Sequence, residues 1–130
     1  MTEILIGLAW VALGSALGGA ARFLVSSLLG RVLGETFPWG TLAVNVSGAA
    51  AIGAFAAVAV RHGLPDGGAA WQAIVVGFLG GYTTVSSLSL QSLALAQHGA
   101  RGAAAANIIG SIAAGLAAVA LGFALGTALA

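Results

Sequence analysis

Charged residues are rare in this sequence, and their positions leave four long uncharged stretches: 4–21, 36–60, 67–100 and 102–130. Only 5% of the 130 residues are charged, whereas a soluble globular domain carries about 25%. A helix that spans a bilayer needs about 20 apolar residues, so each stretch has room for one span and none comfortably holds two. The sequence therefore predicts an all-α integral membrane protein with one transmembrane domain, 1–130, and four helices at about 4–29, 39–60, 70–97 and 103–129.

The same charges say little about which way the chain crosses the membrane. Orientation follows the excess of Lys and Arg in short cytoplasmic loops. The predicted connections are residues 30–38, 61–68 and 98–102; one face carries Arg61, and the other carries Arg31 and Arg101. A difference of one Arg is almost no bias. Two outcomes stay open: a single, weakly fixed orientation, or insertion both ways followed by antiparallel pairing of two copies.

Several classes of protein are excluded by what the sequence lacks. Without Cys it has no disulfide framework or thiolate metal site, and a net charge of +1 gives no basic surface for nucleic acid. Motifs of nucleophilic or metal-dependent hydrolysis are missing, which predicts that the chain is not an enzyme. Glu3 and Glu35 flank the first predicted helix and Asp66 lies in a connection, so no acidic residue falls in mid-membrane. That argues against a proton-coupled exporter, which needs a buried carboxylate.

Small residues four positions apart recur along the predicted helices. The glycine pairs are Gly14 with Gly18, Gly77 with Gly81, and Gly122 with Gly126. Lipid tails give no hydrophobic drive for helix association, so helices in a membrane depend on close packing of such residues. Four short helices enclose little interior, and we therefore expect the chain to form a dimer surrounded by membrane lipid.

A few polar side chains lie inside the predicted spans. Arg22 either extends to the membrane surface or places a fixed positive charge in a vestibule that draws anions. Thr41 and Asn45 lie one turn apart on one helix face, and Asn45 either bonds to another helix or offers its N–H donors to an anion. Asn107 and Ser111 have the same spacing on the last helix. A donor-rich set without carboxylates favours an anion as the solute.

The most informative stretch runs from Gly77 to Gln91 in the third span. The glycine pair at 80–81 and the threonine pair at 83–84 are poor helix formers, and the flanks 70–79 and 85–97 are each too short to span alone. We therefore predict a helix broken near mid-membrane. Carbonyls freed at such a break can bind a small cation such as Na⁺, and the hydroxyls beyond it can line a polar path. The alternative is that these hydroxyls bond to carbonyls one turn earlier and only bend the helix.

Four segments of this sequence, in order, resemble the Fluc (CrcB) family of small fluoride channels. They are GGAARF at 18–23, GTLAVN at 40–45, GFLGGYTT at 77–84 and NIIGS at 107–111. Each is weak alone, but four in order at compatible spacing are specific and cover nearly the whole chain. The resemblance implies a dual-topology homodimer of antiparallel subunits in the bacterial inner membrane, with two pathways that passively export fluoride.

The resemblance also assigns roles to particular residues. It implies a structural Na⁺ bound by the backbone carbonyls of Gly80 and Thr83, with Asn45 as a donor to fluoride and Ser111 as a pore-lining hydroxyl. It favours Arg22 as the charge of the vestibule. The remaining residues of the expected ion pathway are Thr41, Thr84, Ser87, Val85 and Leu88.

The chain departs from the family just after the break. The family has two phenylalanines there, whose electropositive ring edges line the ion path, whereas this sequence has Val85 and Leu88, and Gln91 replaces a Glu. Neither Val nor Leu offers a ring edge to an anion. Three interpretations stay open: fluoride conduction through Asn45, Ser87, Ser111 and backbone donors; a heterodimer whose partner supplies the rings, this chain alone being non-conducting; or drift to another anion or loss of conduction. A small secondary transporter for another solute is the competing class of protein.

Overall fold

The computed structural model describes residues 1–64 and 68–129; Pro65 and Asp66, which the sequence places in a connection, lie outside them. The helices are α1 (Thr2–Leu33), α2 (Trp39–His62), a π-helix (Trp71–Leu79), α3 (Gly80–Tyr82), α4 (Val85–Gln97) and α5 (Arg101–Leu129). The π-helix, α3 and α4 form the third span, Trp71–Gln97, so the described residues contain four helices long and apolar enough to cross a membrane. The predicted all-α fold class with four spans and a broken third helix is confirmed.

Glycines with positive φ determine where two of the connections lie. The first helix, predicted to end at 29, continues to Leu33, because the chain leaves the helix only at Gly34, whose φ is 86°. The last helix, predicted from 103, already begins at Arg101, shortly after Gly99 with a φ of 83°. Side chains with a Cβ rarely adopt this conformation, which is why glycine marks both turns.

The third span is interrupted in two ways, and the sequence predicts one of them. Residues Trp71–Leu79 form a π-helix, which was not expected. Helical geometry continues through α3 and stops at Thr83 and Thr84, which have extended backbones with ψ of 158° and 118° before α4 begins. The break therefore falls on the threonine pair, whereas the glycine pair at 80–81 stays helical.

The glycines of α1 and the third span allow these two helices to approach backbone to backbone. A Cβ at Gly18 would collide with the carbonyl of Phe78, and a Cβ at Gly81 would lie only 2.6 Å from the carbonyl oxygen of Ser15. The predicted small-residue contacts thus join helices within one chain. The close approach also fixes the depth of the break relative to α1.

Small residues pack α2 against α5 in the same manner. A Cβ at Gly53 would meet the carbonyl of Val119, and one at Gly122 would meet the carbonyl of Ala50. The buried apolar side chains are small, and Val44 on α2 is fully buried. Large apolar side chains are exposed along all four spans. Such extended apolar surface is typical of a lipid-facing exterior.

Candidate functional site

The backbone at the break is hydrogen-bonded by a side chain of another helix, Asn45 of α2. Its Oδ1 accepts the N–H of Thr84 at 2.8 Å, and its Nδ2 donates to the carbonyl oxygen of Thr84 at 2.9 Å. Thr84 is only 7% exposed, so both backbone groups would otherwise be buried without a partner. Of the two interpretations of Asn45, the interhelical hydrogen bond is therefore found. The two bonds use the acceptor and one of the two N–H donors, which leaves one N–H for another ligand.

A cluster of hydroxyl groups lies at the N-terminus of α4. The Oγ1 of Thr84 accepts the N–H of Ser87 at 3.2 Å and so caps the helix. The same oxygen lies 3.0 Å from the hydroxyl of Ser86 and 3.2 Å from that of Ser87. Because a helix dipole is positive at this end, the cluster combines hydroxyl donors with a partial positive charge.

A cavity of about 720 Å³ opens between α1, α2 and α4 and reaches this hydroxyl cluster. We name it the vestibule. It brings together four of the predicted site residues: Arg22, Thr41, Thr84 and Ser87. Its lining also includes polar residues that the sequence did not single out as pathway residues, namely Ser26, Ser27, Ser86 and Gln91, with Glu35 and His98 at the loop end.

The guanidinium of Arg22 lies in the vestibule, close to the break. The side chain is half-buried, and its Nη1 is 3.5 Å from the carbonyl oxygen of Thr83, a long hydrogen bond. This position agrees with a vestibule charge rather than with extension to the membrane surface. A fixed positive charge at the inner end of an open cavity raises the local concentration of anions.

The two residues expected to bind a cation, Gly80 and Thr83, border a second cavity of about 290 Å³ on the protomer surface. Gly80 is exposed there, and Asn45 is a neighbouring lining residue. The hydroxyl of Thr83 donates to the carbonyl of Leu79 at 2.9 Å, so the oxygen of Thr83 that could face a ligand is its backbone carbonyl, which also lies 3.5 Å from Nη1 of Arg22. Backbone carbonyls at a helix break suit Na⁺; the carbonyl of Thr83 lies at the break, whereas Gly80 lies in α3 just before it. Two carbonyls from one chain make an incomplete coordination shell.

Three predicted pathway residues lie elsewhere. Val85 is 75% exposed on the outside of the protomer, and Leu88 is half-buried. Ser111 is buried on α5, and in the part of the chain that the structure describes its hydroxyl has no hydrogen-bond partner. The single protomer therefore does not bring these three side chains to the vestibule.

The sequence could have indicated the vestibule residues Ser86 and Gln91, since both belong to the polar run of the third span. A polar run on a helix does not say which side faces a cavity, because that depends on the rotation of α4 against its neighbours. The hydrogen bonds between Asn45 and Thr84 and the contacts with neighbouring helices set this rotation in the fold.

The four spans, the break and the polar vestibule define a small membrane protein built for ion permeation. The chain belongs to the CrcB family: residues 9–123 match the family described as "CrcB-like protein, Camphor Resistance (CrcB)". The family resemblance given by the four sequence segments is thus confirmed.

Curated relatives cover most or all of the chain. "Fluoride-specific ion channel FluC 2" of Rhodopseudomonas palustris (strain BisB18) is 55% identical over 131 residues, which is 100% of both chains. "Fluoride-specific ion channel FluC" of Paramagnetospirillum magneticum is 49% identical over 115 residues, 88% of this chain and 90% of the relative. These names describe ion channels and not enzymes.

Proposed function

We propose that this chain is the subunit of a passive, fluoride-selective channel that exports fluoride across the bacterial inner membrane. The observation that carries the proposal is the vestibule, in which the charge of Arg22 and the hydroxyls of Thr41, Thr84 and Ser87 converge on the N-terminus of α4. Fluoride is small and strongly hydrated, so selective passage needs donors that approach it closely. Hydroxyl and amide donors with one fixed positive charge meet this requirement.

The path beyond the vestibule runs past Asn45 towards Ser111. Asn45 is hydrogen-bonded to the backbone of Thr84, and Thr84 borders the vestibule. Asn45 therefore lies next to the inner end of the vestibule. The unpartnered hydroxyl of Ser111 is a further donor available to an ion. Val85 and Leu88 then form apolar parts of the wall where the family resemblance implies rings.

The channel is an antiparallel, dual-topology homodimer with a structural Na⁺ at its centre. The weak charge bias of the loops supports insertion in both directions. The carbonyls of Gly80 and Thr83, together with the same carbonyls of a second copy, would hold the ion. When bound, Na⁺ supplies a fixed positive charge near the two breaks. The exposure of Gly80 at the protomer surface supports a site shared between copies.

A heterodimer is the second candidate, because Val85 and Leu88 lack the ring edges that the family resemblance implies. At 75% exposed, Val85 leaves open space at the position where the family places a ring. A partner chain could fill that space with aromatic side chains that offer their edges to fluoride. In this arrangement the present chain does not conduct alone.

Fluoride efflux from liposomes tests the proposal. Vesicles loaded with KF and containing only this chain are diluted into fluoride-free buffer, and a potassium ionophore balances the charge while an electrode records fluoride. We expect fluoride efflux that depends on voltage and not on an imposed proton gradient, with chloride efflux near the background of empty vesicles. Efflux that appears only with a phenylalanine-bearing paralogue would favour the heterodimer. Coupling to a proton gradient would refute a passive channel.

Ser111→Ala tests the assigned path and Na⁺ replacement tests the cation. We expect Ser111→Ala to slow fluoride efflux, whereas Thr127→Ala, which removes an exposed hydroxyl bonded within its own helix at 2.7 Å, leaves efflux unchanged. Reconstitution with a large organic cation in place of Na⁺ should reduce efflux or dimer stability. Equal efflux of the two variants would contradict the position of Ser111 in the path.

A further inference from the structure

A chain of buried hydrogen bonds joins α5 to α4. Asn107 of α5 is fully buried at 0% exposure, and its Nδ2 donates to the hydroxyl of Ser92 at 2.9 Å. Ser92 is 3% exposed, and its hydroxyl donates in turn to the carbonyl oxygen of Leu88 at 2.7 Å. The two bonds connect the last helix to the residue that stands in place of the second family ring.

Ser92 matters to α4 because of how little of this helix is buried. Among its described residues, Ser92 is the one that reaches full burial. Three large apolar side chains of α4, Val85, Leu90 and Leu93, are exposed, and Leu88 and Leu95 are half-buried. Two sets of hydrogen bonds therefore help to fix the position of α4 within the protomer: the Asn45–Thr84 pair at its start and the Asn107–Ser92 pair near its middle.

The Asn107–Ser92 bond also sets the depth at which residues of α4 and α5 face each other. The two helices are consecutive and reverse direction at residues 98–100. One turn before Ser92 lies Leu88, and one turn after Asn107 lies Ser111. A slip or rotation of α4 at this contact would move the hydroxyl of Ser87 and the wall at Leu88 relative to Ser111.

We propose that Asn107 is a positioning residue for ion conduction, which acts through Ser92 to keep α4 in register with α5. This inference rests on the proposed channel function. The acceptor Oδ1 of Asn107, which has no hydrogen-bond partner among the described residues, would repel fluoride, so the role of Asn107 is carried by its bonded Nδ2. Its one bonded donor is given to Ser92.

A double-mutant cycle tests the proposal with Asn107→Ala, Ser92→Ala and the double variant in the full dimer, and with Thr127→Ala as control. Loss of one interhelical hydrogen bond in a membrane should shift the equilibrium between aligned and displaced α4 roughly 3- to 18-fold towards the displaced state, which lowers fluoride efflux per assembled dimer. Each single variant should also lower the ratio of fluoride to chloride permeability. The double variant should be no slower than the slower single variant, since all three lose the same bond.

Three results would overturn the proposal: single variants that conduct like the wild type, losses that multiply in the double variant, or losses that only follow a smaller yield of dimer. If Asn107→Ala does not assemble, Ser92→Ala alone is compared with the wild type, because it removes the same hydrogen bond by deleting a single oxygen atom. Hydrogen exchange of the α4 backbone amides is measured in parallel and should accelerate in each variant. If the wild type carries no fluoride, the channel proposal fails, and unchanged exchange would separately refute the link to α4.

Discussion

Replacing Asn45 by Ala removes both hydrogen bonds that satisfy the backbone of Thr84 at the break. Thr84 is buried, so water cannot readily replace the lost partner. A buried donor or acceptor left unsatisfied costs about 1–3 kcal/mol, and two such groups cost roughly 2–6 kcal/mol. Asn45→Ala should therefore lower the free energy of unfolding by that amount as well as slowing fluoride efflux. A residue that only donated to the ion would slow efflux and leave the fold intact.

The assay is thermal unfolding in detergent, followed by fluoride efflux of the surviving dimers. Asn45→Asp is the matched variant, since it keeps the acceptor for the N–H of Thr84 but loses the donor. We expect Asn45→Asp to be destabilised as well, because a carboxylate oxygen would face the buried carbonyl oxygen of Thr84, and to conduct less because its negative charge repels fluoride. An Asn45→Ala dimer as stable as the wild type would refute the structural role of the two bonds.

Three further predictions follow from the packing, the vestibule and the missing rings. Gly18→Ala should destabilise the protein by about 1–3 kcal/mol because its Cβ would enter the third-span backbone; Gly19→Ala, with open space at its Cβ, should leave thermal unfolding unchanged. Arg22→Gln should reduce fluoride efflux more at low than at high ionic strength, since salt screens long-range attraction; an equal reduction would argue against a steering role. Val85→Phe combined with Leu88→Phe should raise the ratio of fluoride to chloride permeability, and an unchanged ratio would contradict the assignment of these positions to the path.

The sequence alone was sufficient to predict the four spans and the existence of the break in the third. Charge-free stretches reveal the four helices because charges are costly in lipid, and two poor helix formers in succession reveal the interruption. The location of the break at Thr83 and Thr84 was not predictable in the same way. It depends on Asn45, which lies on another helix and bonds to the backbone of Thr84 from a distance of 39 positions in the sequence.

Two other features also depend on contacts between helices and could not be predicted from the sequence. The π-helix at Trp71–Leu79 has an apolar sequence equally compatible with an α-helix, and its wider turn is a property of its packing. Asn107 and Ser111 were recognisable as a polar pair one turn apart, but the partner of Asn107, Ser92, was one of several serines on α4. A single sequence does not say which of them faces α5.

Apart from the guanidinium of Arg22, the polar side chains gathered around the break are hydroxyls and carboxamides, which has a consequence for a cell in acid surroundings. Asn45, Thr84 and Ser87 neither gain nor lose a proton between mildly acidic and mildly basic conditions. Acidity favours HF, the neutral form of fluoride that crosses lipid unaided. A pathway made of these groups would keep its attraction for the anion unchanged as the surroundings acidify, when fluoride accumulates fastest inside the cell.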